Sequence, residues 1–256
     1  MSTLLLRLAG PLQSWGYRSR YNDRDTGLEP SKSGVVGLLC CVLGQDRAES
    51  PTRLAALRMH VRVDRQGTLL QDFHTAGGGV FRGSRNYFAP TSAGSKGKNP
   101  VVTQRHYLQD ASFLVALEGD SDLLHTLARK LIDPEWPLAL GRRSCPPSEP
   151  VLEAFCESDA RTALLSHPLR LHPSRLPLRW NPGIQRYEPE VSKLPIRFVW
   201  ECGPNDPGSE LRRDVPLTWS DRLRREYGVR FVRSEIHQLT PEILTSPEPV
   251  RQEVVL

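Results

Sequence analysis

The stretch Thr3-Leu4-Leu5-Leu6-Arg7-Leu8-Ala9 sets the reading of the fold. Leu4, Leu6 and Leu8 recur at every second position, the spacing of a strand that lays one face on a core. Outward from it, a polar stretch from Gly10 to Lys32 carries Arg18, Arg20 and Arg24. Ser33 then offers an N-cap for a helix through Leu43, which Gly44 closes. That helix is apolar on nearly every side, so it belongs against a sheet. Met59 to Asp64 alternates again, and Thr68 to Thr75 continues as strand after a Gln66-Gly67 turn. Ser112 to Leu117 reads as a buried strand. Ser121 to Leu131 has helical spacing at Leu123, Leu124, Leu127 and Leu131 and stops at Pro134. Pro137 to Leu140 reads as one more short strand.

This order of strand, helix, strand, strand, helix, strand is the split βαβ pattern of an α+β, ferredoxin-like domain, which RNA-recognition modules share but do not own. Beyond residue 150 the chain changes character. Fourteen of its 22 prolines lie between residues 134 and 216. Short strands are expected there, among them Lys193 to Glu201 and Tyr227 to Ile236, with a polar tail from Leu244. Two domains follow: 1–150, and a smaller β-rich one over 151–256.

Of 256 residues, 38% are hydrophobic and 25% charged, enough apolar content for a core and too much for a disordered chain. The longest apolar run, Val35 to Leu43, is far short of the ~20 residues that span a bilayer. No signal peptide precedes Leu4. Five cysteines without a C-x-x-C pair argue against a disulfide scaffold and a structural zinc. A cytoplasmic protein without membrane, metal or cofactor is the expectation. The net charge of +5 leans toward a polyanionic partner. Of the 34 basic residues 29 are Arg, which suits phosphate forks and base stacking but also follows from a GC-rich genome.

Residues 73–109 hold Arg82, Arg85, Lys96, Lys98 and Arg105, no acidic residue, and six glycines. Phe81, Tyr87, Phe88 and Tyr107 interleave with these cations, the composition of a single-strand nucleic-acid surface or of a solvated loop. Gly141-Arg142-Arg143-Ser144 presents two arginines beside a hydroxyl, fit for phosphate or simply exposed. Ser31-Lys32-Ser33 before a helix lacks the glycines of a P-loop. It leaves a lysine at a helix N-terminus, where an anion or plain capping is equally in keeping. His74, His106 and Tyr107 could act as general base in metal-free RNA cleavage, with Arg105 stabilising the phosphorane-like charge. A histidine in a strand is more often structural.

Five blocks carry a family resemblance. They are Leu6-Arg7-Leu8-Ala9-Gly10-Pro11-Leu12-Gln13-Ser14-Trp15-Gly16, Pro30-Ser31-Lys32-Ser33-Gly34-Val35-Val36-Gly37-Leu38-Leu39, Asp72-Phe73-His74-Thr75, Tyr107-Leu108-Gln109-Asp110-Ala111-Ser112-Phe113 and Leu140-Gly141-Arg142-Arg143-Ser144-Cys145-Pro146. In this order over about 145 residues they resemble the Cas-five family of RAMP proteins, in the form found in type I-E CRISPR Cascade complexes. The resemblance implies a ferredoxin-like (RRM/RAMP) domain with an inserted β-hairpin thumb at about 76–105. It implies a non-catalytic subunit for antiviral defence that caps the five-prime handle of the CRISPR RNA and inserts the thumb at the handle–spacer junction. Its partners would be that RNA, the backbone and large subunits of Cascade and, through the complex, target DNA.

The implied RNA-binding set is Gln13, Ser14, Trp15 and Arg20; Ser31, Lys32 and Ser33; Arg82, Arg85, Lys96, Lys98, Arg105 and His106 in the thumb and its base; and Arg142, Arg143 and Ser144. Val101 and Val102 could wedge between bases. Two other readings stand beside it: a metal-independent endoribonuclease of CRISPR repeats, as in type I-C systems, and a ferredoxin-like protein-interaction domain.

Overall fold

The computed structural model describes residues 2–17, 22–77, 100–170, 178–189, 195–219 and 225–238. In chain order the elements are β1 (Thr3–Ala9), β2 (Leu12–Gln13), β3 (Asp23–Arg24), α1 (Lys32–Leu43), α2 (Thr52–Ala55), β4 (Arg58–Arg65), β5 (Thr68–Ala76), β6 (Val101–Gln109), β7 (Ser112–Glu118), α3 (Ser121–Ile132), β8 (Leu152–Cys156), α4 (Ala160–Ser166), β9 (Leu178–Asn181), β10 (Arg186–Pro189), β11 (Pro195–Cys202), β12 (Glu210–Thr218) and β13 (Glu226–Gln238). The architecture is mixed α+β.

The main sheet runs β12-β13-β11-β4-β7-β1-β8, antiparallel at every pairing. α1 and α3 cover one face, packing on Leu4, Leu6 and Leu8 of β1 together with Val61 and Val115. α4 covers the other through Ala163 and Leu164, against Leu5, Leu114 and Phe198. β1 is therefore buried on both faces along its whole length, although its alternation announces only one. Each of its leucines gains about 1.5–3 kcal/mol from burial.

Several boundaries differ from the sequence reading. α1 starts at Lys32, and its cap is Ser31 rather than Ser33: the Ser31 hydroxyl accepts from the Gly34 N–H at 3.3 Å. Ser33 sits inside the first turn. Gly44 closes the helix in the left-handed region, at φ 68°, as expected. Pro137 to Leu140 is not a strand, because the Leu140 N–H bonds Cys145 O across a tight turn. The strand that follows α3 is β8, twelve residues further on, and it pairs with β1. β5 leaves the main sheet and pairs with β6 in a second one, where β2 and β3 line the far side of β6. The strands expected within 193–201 and 227–236 are β11 and β13, and β11 joins β4, so both halves of the chain contribute to one sheet. The tail from Leu244 lies outside the described residues.

Candidate nucleic-acid interface

Four of the five motif blocks meet around Trp15, and the fifth, Asp72–Thr75, lies on β5. The Trp15 indole is fully buried and donates to the Gln13 Oε1 at 3.0 Å, while the Gln13 amide donates to Leu8 O and Ala111 O at 3.0 and 2.9 Å. α1 lies on this ring at Gly34, where a Cβ would stand 2.7 Å from the indole. On the other side Gly141, at φ +87°, lies so close that a Cβ would overlap the Ser14 carbonyl oxygen. Ser14 N–H bonds Leu140 O at 3.1 Å. Gln13, Trp15 and Ser31 thus have their polar groups paired inside the protein, and they act by shaping the platform.

On that platform stand strand β6 and the Gly141–Ser144 loop. The Arg142 guanidinium donates to His106 O at 3.1 Å, Arg24 O at 2.7 Å and Asp25 O at 3.2 Å, and lies 4.7 Å from the Tyr107 ring centroid. The Ser14 hydroxyl donates to the same His106 carbonyl at 3.1 Å. Arg142 is therefore a positioning residue that ties β3 to β6, while Arg143 and Ser144 beside it are exposed. β3 runs parallel to β6 with Arg24 in register with Arg105. Arg105 also has Asp72 of β5 in register on its other side, so the row of three keeps a surplus of one positive charge for an anion. Arg24 escaped the sequence reading as a site residue because only strand register reveals its neighbour.

β5 and β6 form a ribbon from Thr68↔Gln109 to Ala76↔Val101. Side chains alternate between its faces. Asp72, His74, Thr103 and Arg105 share one face. Leu69, Phe73, Val102 and His106 share the other, with Leu69 62% and Phe73 68% exposed. His74 and His106 point to opposite sides, and Tyr107 is buried beneath Arg142. His106 Nε2 sits 3.4 Å from Asp23, and His74 Nδ1 3.7 Å from Asp72. The three groups named for RNA cleavage do not share a site.

Lys32 turns away from this surface. It is 4% exposed; its ammonium bonds both Glu201 oxygens at 2.9 and 3.1 Å, and its backbone N–H bonds Asp214 at 2.7 Å. Arg230 joins the same two carboxylates. Burial lowers the Lys32 pKa, with Glu201 opposing. This cluster fastens the start of α1 to β11, β12 and β13.

A family model described as CRISPR-associated protein (Cas_Cas5) matches residues 3–233. The chain belongs to the Cas5 family. Among curated Cas5 relatives it is 35% identical over 181 residues to the Cascade subunit CasD of the CRISPR system of Escherichia coli (strain K12), covering 65% of this chain and 77% of that protein. Among solved structures it matches a chain of a CRISPR RNA-guided surveillance complex at 32% identity and a TM-score of 0.77, over 98% of this chain and 96% of that one. A crystal structure of a Cas protein matches at 36% identity and a TM-score of 0.67, over 96% and 100% of the two chains.

In this Cas5 chain Arg20, Arg82, Arg85, Lys96 and Lys98 lie outside the described residues, as does most of the expected thumb. Among the described residues no group of three or more His, Cys, Asp or Glu could hold a metal ion, and no helix is long and apolar enough to cross a membrane.

Proposed function

We propose that this Cas5-family chain is the subunit of a type I-E CRISPR surveillance complex (Cascade) that binds the five-prime handle of the CRISPR RNA and caps it without cutting. The observation that carries this reading is the in-register pair Arg24 and Arg105 beside exposed Arg143 and Ser144, a ready cradle for consecutive phosphates. The ferredoxin-like assignment rests on the order β8-β1-β7-β4 with α1 and α3 as crossovers. The thumb expected at about 76–105 falls between β5 and β6 in the chain; on the ribbon those two strands form, the Phe73 and Val102 face meets bases and the Arg105 face meets phosphate. Residues 1–150, completed by β8 from the second part, form the RAMP unit, and 151–256 is the smaller β-rich part. Backbone and large subunits of Cascade are the protein partners, and target DNA is reached through them.

Binding without cleavage is supported by the opposed faces of His74 and His106. The test is a repeat-RNA assay in EDTA, read for both retention and product. Retention without product is expected, and the double variant Arg24→Ala/Arg105→Ala lowers the slope of log affinity against log salt by about 1.4, at ~0.7 per single-strand phosphate contact. A discrete product lost on changing His74, His106 or Tyr107 would make the chain a processing endoribonuclease. Salt-independent binding of a protein in place of RNA would favour an interaction domain.

A further inference from the structure

A groove of about 1230 Å³ opens between β12, β13 and the segment that ends at Glu29. Arg197, Arg212, Arg213 and Arg225 line it together with Tyr17 and Tyr227. Its floor is Glu29, 5% exposed, which bonds Arg197 at 2.9 Å and makes a close ion pair with Arg212. Arg212 also donates to the Tyr17 hydroxyl at 3.3 Å and lies 4.0 Å from Glu210. The two inner arginines are thus committed to carboxylates and aim the walls. The two outer ones, Arg213 and Arg225, are exposed and have no ion-pair partner among the described residues.

Consecutive residues of a strand normally point to opposite faces. Here the register of β12 against β13 shifts between Arg212 and Val215, and Arg212 and Arg213 line the same groove. Bulges of this kind re-aim side chains. Tyr227, held edge-on to Trp219 at 6.4 Å, adds a ring on which a base can stack. Asp25 forms part of the wall, and its carbonyl accepts from Arg142. The groove therefore adjoins the Arg142 loop through a shared segment of chain.

We propose that this groove is a second single-stranded RNA subsite, in which Arg213 and Arg225 hold phosphates of the strand that leaves the Arg24–Arg105 cradle and Tyr17 and Tyr227 offer stacking faces. The proposal rests on the RNA-binding reading above and extends the RNA path across the C-terminal strands. Exposed cations in the same groove as tyrosine rings, with Glu29 already neutralised by Arg197 and Arg212, favour RNA over an acidic protein segment, which would have no use for the stacking rings.

The test uses the full chain in its assembled complex and two RNAs of one sequence, a short one that covers only the cradle and one longer by several nucleotides. Arg213→Ala/Arg225→Ala is expected to weaken the longer RNA about 25-fold at 0.1 M salt and to lower its salt slope by about 1.4, the share of two phosphate contacts. The short RNA should be unaffected. Both side chains are exposed, and an unchanged unfolding midpoint verifies the fold. Unchanged affinity for the longer RNA overturns the groove and leaves the cradle standing. Release of a partner subunit with RNA affinity intact makes the groove a protein interface and also overturns it. Failure of both RNAs to bind the unaltered complex overturns the cradle and the groove together.

Discussion

Lys32→Met separates two roles for one residue. As an RNA contact at the head of α1, its loss would lower the salt slope of RNA binding by about 0.7 and leave stability alone. The structure assigns it instead to a buried cluster of two cations and two carboxylates, with its side chain 5% exposed and that of Glu201 15%. Removing one partner of a buried ion pair costs about 3–5 kcal/mol. Glu201 keeps Arg230 at 3.2 Å and the Met59 N–H at 3.1 Å, which places this case near the lower limit, about 3 kcal/mol. At ~2–4 °C per kcal/mol for a chain of this size, the melting temperature drops by about 6–12 °C. The assay pairs thermal unfolding with RNA titrations at several salt concentrations, using Lys32→Met to keep the side-chain volume. The expected result is lost stability with an unchanged salt slope. An unchanged melting temperature with a slope lower by ~0.7 would refute the assignment.

Further outcomes follow from other contacts. Gly141→Ala must abandon φ +87° or push Ser14 away; a cost of about 1–3 kcal/mol from the backbone alone is expected, with RNA affinity falling alongside it, as urea titration and filter binding would show. Burial pushes the Glu153 carboxyl up, yet His167, Arg7 and Arg170 outweigh it and hold it at about 2 against the ordinary 4.5. Its contribution is thus fully present above pH 4.5 and lost as pH falls toward 2, a total of about 3 kcal/mol. Urea midpoints from pH 5 down to pH 3 should fall less in Glu153→Gln than in the unaltered chain, and parallel curves would refute this. Arg7→Met takes one partner from each of Asp64 and Glu153, which keep Arg62 on one side and His167 with Arg170 on the other, and should cost about 3 kcal/mol in chemical unfolding, the lower end for a broken buried pair.

The readable parts of the fold were those with a local period. Thr3–Ala9 repeats at two residues and Ser121–Ile132 at 3.6, Ser112–Glu118 is a short continuous apolar run, and the structure has all three within a residue of expectation. β8 stayed hidden because Leu152–Cys156 is half-buried throughout and has no alternation. Pro137–Leu140 misled because its apolar residues serve a turn against Ser14. At the site, short-range composition pointed to Arg105, Arg142 and Arg143, all found on or beside the ribbon. The family resemblance added Gln13 and Trp15, and the Ser31-Lys32-Ser33 motif added Lys32; the burial of all three depends on partners up to 182 residues away. Arg24 and the Arg212–Arg213 groove depend on strand register, which no local pattern encodes.

The outer edge of β5 has a consequence for the chain before it finds its partners. β6 occupies one side of this nine-residue strand, and no strand pairs with the other among the described residues. Leu69, Leu70 and Phe73 are exposed on it, and its only formal charge is Asp72. A long, apolar, weakly charged edge is a template for another copy of itself. Turbidity of the isolated chain should therefore rise steeply with concentration, and co-expression with whatever covers the ribbon should act as a chaperone does, by timing rather than by added contacts.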